Sequence, residues 1–320
     1  MSFGFIKANK LSFKFVELYH LCKELLEKNI HYDWGLRAVK VVLIQAGNLK
    51  RKYNNFDEEA ILMKALKDFN IPKITYNDIP IFLGLVNDLF PNVDISVFDK
   101  VAIRMSLNES NLQIDDTFIL KVKQLKDLMD VRHCVFILGE EGCGKSCVFE
   151  ILIKCLNKMG ERCLYEIINP KSIESYELYG YLTKNNEWKD GALSSIMRKM
   201  SRNLPPYNEN IKHKILLLDG NIDADWIESM NTVMDDNKVL TLVSNERIPF
   251  TKQMHLFFEI TNMKYASPAT VSRGGVLYIN KDDISYKLFL NSWISLLNNN
   301  IMTKKLIKKR KKINQKIKMI

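Results

Sequence analysis

The sequence predicts an α/β fold, a three-layer αβα sandwich around a five-stranded parallel sheet, preceded by an all-helical domain. Apolar residues recur every three to four positions over residues 1–91, as they do in amphipathic helices. From residue 115 onward, five short apolar runs alternate with helical stretches, a pattern typical of buried parallel strands. A glycine-rich loop follows the first of these runs directly, which favours a phosphate-binding sheet domain.

The amino-terminal part shows its helical spacing most clearly in residues 13–18, 36–43 and 61–66, and prolines such as Pro72 interrupt it. We therefore expect a helical domain over residues 1–91 without a sheet of its own. Residues 92–114 are polar and weakly patterned, which indicates a linker.

The sheet domain is expected over residues 115–280. It opens with a helix whose apolar stripe includes Phe118, Val122 and Leu125. The five predicted strands are residues 134–138, 163–168, 215–218, 239–243 and 256–260. Residues 281–303 are expected to begin a further helical segment.

The net charge of +10 is concentrated at the carboxyl end of the sequence. Residues 304–320 hold nine Lys and Arg and no acid, whereas the preceding part carries 38 basic and 37 acidic residues. A terminal block of like charge is typical of a disordered, solvated tail. This tail contains no aromatic residue that would stack on bases, which argues against nucleic acid as a partner.

Hydropathy and cysteine content predict an intracellular protein without a membrane partner. The longest uncharged stretch, residues 288–303, is shorter than the ~20 apolar residues of a bilayer span and contains four asparagines. The amino terminus lacks the apolar run of a secretory signal. Cys143 and Cys147 have neither a His partner nor zinc-ligand spacing, so reduced thiols are expected, with a redox role for Cys143 as the alternative.

A phosphate-binding loop is predicted directly after the first strand. The eight residues from Gly139 to Ser146 match the pattern G-x-x-x-x-G-K-[ST] and precede a helical run. In this motif, backbone N–H groups cradle the phosphates, Lys145 reaches the β and γ oxygens, and Ser146 ligates Mg²⁺. The candidate cofactors are therefore ATP or ADP with Mg²⁺, and the candidate loop contacts are Gly139, Gly142, Cys143, Gly144, Lys145 and Ser146.

A second part of the site is predicted at the end of strand 215–218. Asp219 follows this strand and can hold the magnesium shell across the sheet from the loop. Hydrolytic ATPases of the AAA+ type usually place Glu after this Asp, and here the position is Gly220. Asp223 and Asp225 would have to fold back to replace it, so no complete set of catalytic residues is expected.

Two further polar residues are candidates on position alone. Asn245 follows strand 239–243, which is expected beside the first strand, where an amide can bind the γ-phosphate or its water. The alternative is that Asn245 is a turn residue. Arg273 lies between small residues after the last predicted strand and would be either a surface residue or a contact to a neighbouring nucleotide.

Several long strings resemble the dynein heavy chain. Residues 187–191, 226–238, 244–249 and 268–273 are similar to the second AAA+ module of that family. Residues 31–38 and 88–91 resemble the helical lid that closes the first AAA+ module, and residues 69–74 resemble axonemal chains of the outer-arm beta type. The resemblance covers residues 1–295 and excludes the basic tail.

The resemblance implies a fragment of a minus-end-directed microtubule motor of cilia and flagella. Its first module is the principal hydrolytic site, and its second module mainly binds nucleotide, which agrees with Gly220. Lys145, Ser146, Asp219 and Asn245 would then belong to the second module's own pocket. Arg37 matches the lid arginine of the first module, and Arg273 matches the finger that the second module extends toward the first module's nucleotide, so both would serve a P-loop outside this sequence.

The implied partners are the other AAA+ modules of the same heavy chain. Microtubules and dynein intermediate and light chains would be bound through parts of the heavy chain that are absent here. The implied location is the cytoplasm, the cytoskeleton and the ciliary axoneme. Glu140 and Glu141 depart from the family by placing two carboxylates in a loop that receives a polyanion.

Two other functions are compatible with the motifs. A stand-alone P-loop ATPase or kinase with turnover would need a general base, which Gly220 does not supply, and a complete lid. A nucleic-acid-binding AAA+ protein would have to use the basic tail of residues 304–320.

Overall fold

The computed structural model describes residues 5–52, 57–90 and 101–297. The helices are α1 Ala8–Leu25, α2 Leu36–Lys52, α3 Glu58–Asn70, α4 Ile79–Leu89, α5 Val101–Glu109, α6 Asp116–Val131, α7 Lys145–Lys158, α8 Ser175–Tyr179, α9 Ala192–Ser201, α10 Ala224–Met234 and α11 Pro268–Arg273. The strands are β1 Cys134–Leu138, β2 Cys163–Ile168, β3 Gly180–Leu182, β4 Trp188–Asp190, β5 His213–Asp219, β6 Val239–Thr241, β7 Arg247–Pro249, β8 Met254–Ile260 and β9 Gly275–Tyr278. Short 3₁₀ turns lie at Ile71–Lys73 and Pro170–Ser172, and residues 286–297 are helical.

The amino-terminal helices α1–α4 pack around a core of their own. Leu18, Val42, Leu66 and Phe82 are buried in it. Helix α3 begins after Asp57, whose carboxylate accepts a hydrogen bond from the backbone N–H of Glu59 at 3.3 Å. The prediction of a helical amino-terminal region is confirmed.

The central sheet has five parallel strands in the order β2-β5-β8-β1-β9. Helices α5, α6 and α7 cover one face, and α9 and α10 cover the other, so each face has its own apolar core. The predicted αβα sandwich with a five-stranded parallel sheet is confirmed. Because β1 lies between β8 and β9, the loop that follows it comes after an interior strand of the sheet and not after an edge strand.

One predicted strand is wrong. Residues 239–243 do not join the central sheet, because Val239–Thr241 pairs antiparallel with Arg247–Pro249 in a separate hairpin. The fifth strand is Gly275–Tyr278, which pairs with β1. Leu240 and Leu242 are buried against the α9–α10 side of the sheet, which explains their apolar character without placing them in a strand of that sheet.

The linker predicted over residues 92–114 is corrected by helix α5, Val101–Glu109. Ile103 and Leu107 are buried in the core beneath α7, so this segment contributes to the sheet domain. Residues 92–100 and the basic tail of residues 304–320 lie outside the described residues. Helix 286–297 falls in the segment where further helix was expected.

The helical part contacts the sheet domain near β9. The imidazole ring of His31 stacks on the ring of Tyr278, with centroids 5.1 Å apart. Arg37 on α2 donates a hydrogen bond to the Ser272 hydroxyl at 2.9 Å. In the part of the chain that the structure describes, no helix combines the length and hydropathy needed to cross a bilayer.

Candidate nucleotide-binding site

The loop between β1 and α7 is built by glycines at positions that other residues would not fit. Gly142 and Gly144 adopt φ of 77° and 91°, the left-handed region that glycine enters without a Cβ penalty. A Cβ on Gly139 would lie 2.5 Å from the Ile279 carbonyl oxygen. The glycines of the predicted motif therefore set the path of this loop.

Lys145 begins α7 and lies over the loop. Its Nζ donates hydrogen bonds to the carbonyl oxygens of Gly139 at 2.9 Å and Glu140 at 2.8 Å. The residue is 8% exposed, so its charge lies in a partly desolvated position. Because α7 starts here, its first N–H groups and its dipole also point at the loop, an arrangement that suits phosphate.

Three oxygen-bearing side chains meet beside the loop. The Ser146 hydroxyl donates a hydrogen bond to Glu259 Oε1 at 2.7 Å. Asp219 ends β5 and is in register with Glu259 on the neighbouring strand β8. Burial raises the pKa of Glu259, and the Asp219 charge adds to that rise. Hydroxyl and carboxylate oxygens are the ligands Mg²⁺ prefers, so these residues fit that ion.

Sequence reasoning named Ser146 and Asp219 and missed Glu259. The signal was present, because Glu259 is a carboxylate within the otherwise apolar run 256–260. Its significance depended on knowing that β8 lies beside β1, which the order of strands in the sheet provides.

Asn245 is not beside the loop strand, and that expectation is corrected. It lies in the turn between β6 and β7, with φ of 63° and its backbone N–H donating to the Leu242 carbonyl at 2.9 Å. Asparagine tolerates this left-handed conformation better than most residues. The alternative of Asn245 as a turn residue is the one the structure supports, because β8 occupies the place beside β1.

Gly220 carries no side chain toward the site. Its backbone N–H donates to the Glu259 carbonyl oxygen at 3.2 Å. Asp223 caps α10 by accepting a hydrogen bond from the Asp225 backbone at 3.4 Å. The Asp223 carboxylate is therefore engaged at the start of α10, and neither acid is brought to the loop by the contacts that the described residues make.

The loop carboxylate of Glu140 is directed outward. It forms an ion pair with Lys281 at 2.6 Å, and its side chain is largely exposed. This pairing holds the pKa of Glu140 below its ordinary value. The negative charge of Glu140, which would otherwise oppose a phosphate in the loop, is thus paired with a cation from the segment after β9.

A cavity of about 140 Å³ adjoins the loop. Its walls include Leu107 from α5, Phe118 from α6, Gly144 and Cys147 at the loop and the start of α7, and Phe289 from helix 286–297. An apolar cleft next to a phosphate loop suits a planar base. Sequence reasoning missed it because its walls come from segments far apart in the chain.

Comparisons with known proteins agree with these features. A family model described as the hydrolytic ATP binding site of dynein motor region matches residues 1–146, and a model for the AAA domain of the dynein-related subfamily matches residues 134–274. The ciliary dynein beta chain of Heliocidaris crassispina is 50% identical over 300 residues, which are 91% of this chain and 6% of that protein. Dynein axonemal heavy chain 17 of Homo sapiens is 49% identical over 303 residues, 92% of this chain and 7% of that protein.

The flagellar outer-arm dynein beta chain of Chlamydomonas reinhardtii is 48% identical over 305 residues, which are 93% of this chain and 6% of that protein. The chain belongs to the dynein heavy-chain family. The resemblance to dynein predicted from the sequence strings is confirmed, and the chain spans only a small part of the length of these relatives. The model with the hydrolytic description ends at Ser146, ahead of the segment that contains Asp219 and Gly220.

Two arginines of this dynein chain meet at the opposite edge of the sheet from the loop. Arg273 donates to Asn231 Oδ1 at 3.3 Å and lies 3.4 Å from an Asp235 carboxylate oxygen. Arg37 Nη2 lies 3.7 Å from the other Asp235 oxygen. Because α11 precedes the start of β9, this arginine cluster of Arg37, Arg273 and Asp235 lies at the amino edge, whereas the loop lies at the carboxyl edge.

The cysteines of this dynein chain are free thiols. Burial raises the pKa of the Cys143 thiol, which keeps it protonated and gives no support to a redox role. Over residues 5–52, 57–90 and 101–297, no group of three or more His, Cys, Asp or Glu side chains is arranged to hold a metal ion.

Proposed function

We propose that this chain supplies the lid of the first AAA+ module and most of the second module of an axonemal dynein heavy chain, and that the second module binds ATP or ADP with Mg²⁺ without hydrolysing it. The observation that carries the proposal is Gly220, which directly follows Asp219. A glycine there cannot orient an attacking water, whereas the phosphate loop before it is complete.

Nucleotide binding is supported by the loop and the cleft together. Lys145 and the start of α7 present positive charge and N–H groups, and the apolar cavity adjoins them at Gly144 and Cys147. Ser146 and Asp219 would hold the magnesium ion, which in turn neutralises phosphate charge. Lys145 would contact the β and γ phosphates.

The absence of turnover is supported further by the positions of two arginines. Phosphoryl transfer is accelerated on the order of 10³–10⁵ by an arginine finger, often supplied by a neighbour. Arg37 and Arg273 lie at the amino edge of the sheet. Both face the carboxylate of Asp235 rather than the loop. Both would serve a nucleotide of the preceding module, and the second module's own finger would come from a following one.

The whole motor's properties are part of the same proposal. The other AAA+ modules of the heavy chain would be its direct partners. Microtubules and dynein intermediate and light chains would bind elsewhere on the heavy chain. The location would be the cytoplasm, the cytoskeleton and the ciliary axoneme, and no described feature favours nucleic acid or a membrane as a partner.

The test measures binding and turnover separately on the purified chain. Calorimetric titration with Mg-ATP and Mg-ADP should show binding that Lys145→Ala removes. Steady-state phosphate release should show no lysine-dependent turnover in the wild type or in Gly220→Glu. A Cβ on Gly220 would lie 3.1 Å from Asn169 Oδ1, so thermal melts must confirm that this variant folds. Lysine-dependent release at about 1 s⁻¹, the low end of typical enzyme rates, would favour a stand-alone ATPase instead.

A further inference from the structure

Glu259 is a charged residue in a strand that is otherwise built for the interior. Its neighbours Phe258 and Ile260 are fully buried, and Glu259 itself is partly buried at the carboxyl end of β8. A carboxylate in such a place is unfavourable unless a cation or hydrogen-bond donor compensates it. The donor present is the Ser146 hydroxyl, at 2.7 Å.

The sheet places a second carboxylate on the same face. Asp219 and Glu259 are register partners on adjacent strands. Alternate residues Leu217 and Phe257 lie in the core beneath α7, so the two carboxylates face the start of that helix. The pocket beside Ser146 therefore has two negative charges, of which the partly buried Glu259 is screened less by solvent than the exposed Asp219.

This charge acts oppositely on two forms of the same ligand. A metal-free nucleoside polyphosphate would bring its own negative charge toward Asp219 and Glu259 and be repelled. A polyphosphate that carries Mg²⁺ would bring a divalent cation toward them and be attracted. Lys145 on the loop side favours both forms, so it does not distinguish them.

We propose that Glu259 makes this site selective for the Mg²⁺-bound nucleoside polyphosphate over the metal-free form. This inference rests on the proposed nucleotide binding at the loop. Ser146, Asp219 and Glu259 supply the oxygen atoms on the metal's side of the pocket, and the charge of Glu259 sets how strongly affinity depends on the ion. Glu259 is thus a specificity-determining residue for the metal. It does not replace the water-orienting carboxylate that is missing at Gly220.

The experiment titrates the full chain with ATP by calorimetry, once with excess Mg²⁺ and once with excess EDTA. The measured quantity is the ratio of the dissociation constant in EDTA to that in Mg²⁺. Glu259→Gln keeps the size of the side chain and an oxygen that can accept from Ser146, but it removes the charge. We expect this variant to shrink the ratio by about tenfold, as the loss of one partly buried charge interaction implies.

Two control variants fix the interpretation. Glu228→Gln removes an exposed carboxylate on α10 and should keep the wild-type ratio. Glu259→Asp keeps the charge on a shorter side chain and should keep most of the ratio. Thermal melts of each variant show whether folding is retained, and the ratio is independent of the active fraction because both titrations use the same sample.

The outcomes separate this inference from the proposed function. If the wild type binds neither form of ATP, the proposed function fails. If the wild type binds Mg-ATP and Glu259→Gln keeps the wild-type ratio, the selectivity role of Glu259 is wrong while nucleotide binding stands. An equal gain of affinity in both conditions would mean that Glu259 repels phosphate without regard to the metal, and it would also overturn the inference.

Discussion

The two edges of the central sheet carry different kinds of charged site. At the carboxyl edge, one stretch of eight residues forms the loop, and the Lys145 side chain donates hydrogen bonds to two backbone carbonyl oxygens. At the amino edge, Arg37 and Arg273 come from positions far apart in the chain and share the carboxylate of Asp235. The first edge leaves the charge of Lys145 without a carboxylate hydrogen-bond partner among the described residues, whereas the second neutralises much of its charge within the protein.

This difference separates what each edge contributes. Exchanging neutral carbonyl partners for a polyanion costs the Lys145 side chain little interaction energy. The carboxyl edge is therefore suited to binding an anion. At the amino edge, Asp235 joins Arg37 on α2 of the helical part to Arg273 on α11 of the sheet domain, so these charges stabilise contact between the two parts. Substitutions at the amino edge should therefore leave nucleotide affinity unchanged. Substitutions at the carboxyl edge should leave the ion-pair contribution to the unfolding free energy unchanged.

The largest expected effect concerns Lys145. Lys145→Ala removes a charge-assisted contact, and hydrogen bonds to charged groups contribute roughly 1.5–3 kcal/mol. We expect a loss of ten- to a hundredfold in affinity for Mg-ATP, measured by calorimetric titration. The matched change at the other edge, Arg273→Ala, should leave the dissociation constant within about twofold of the wild type.

A contrary result would be informative about the edges. If Arg273→Ala weakened ATP binding as much as Lys145→Ala, the two edges would be coupled rather than separate. If Lys145→Ala bound ATP normally in a folded protein, the loop would not be the nucleotide site.

The carboxyl-edge loop could be predicted from sequence because its constraints are local. The chain needs glycine where φ is positive or backbones approach closely, and it needs the lysine at the first turn of the helix. Gly144 and Lys145 meet those needs in consecutive positions. Glu259 could not be assigned in this way, because its importance depends on which strand lies beside β1. The roles of Lys145, Ser146 and Asp219 in binding stay predictions.

The error over residues 239–243 has a similar physical origin. An apolar run shows that side chains are buried, but it does not show which strand supplies the hydrogen bonds. The true fifth strand, Gly275–Tyr278, is only four residues long and begins with glycine. Gly274 before it is needed because a Cβ there would lie 2.3 Å from Phe136 Cε2. Close packing by glycine hid this strand from a search for apolar runs.

The next effect in size is a pH dependence located at the amino edge. Burial, with the nearby charges of His213, His133 and Lys238, lowers the pKa of His255 from 6.5 to about 3. The unfolded chain therefore binds a proton at His255 between these values and the folded chain does not. The contribution of His255 to the unfolding free energy is therefore fully present above the unfolded pKa of 6.5, and it is lost progressively as the pH decreases below that value.

Urea unfolding at pH 7 and pH 5 checks this contribution. His255→Phe should reduce the loss of unfolding free energy between the two pH values by on the order of 1–2 kcal/mol. His20→Phe changes an exposed histidine on α1 and should leave the loss unchanged. A wild-type loss that His255→Phe does not alter would assign the pH dependence to other groups, including His133, whose pKa burial lowers to about 4.

The smallest effect tests whether Asp235 does more than an ordinary surface acid. Asp235 is 32% exposed at the side chain and is shared by Arg37 and Arg273, whereas its neighbour Asp236 is 79% exposed and forms an ion pair with Lys40. Exposed ion pairs contribute about 0.2–1 kcal/mol, and sharing plus partial burial places Asp235 toward the upper end. Asp235→Ala should therefore lower the unfolding free energy by about 0.5–1 kcal/mol, and Asp236→Ala by less than about 0.5 kcal/mol.

Because Asp235 links α2 to α11 through two arginines, the Asp235→Ala effect should shrink in an Arg37→Ala background. Additive effects in that double-mutant cycle would mean that the arginine cluster is a set of independent contacts and not a joint between the two parts of the chain.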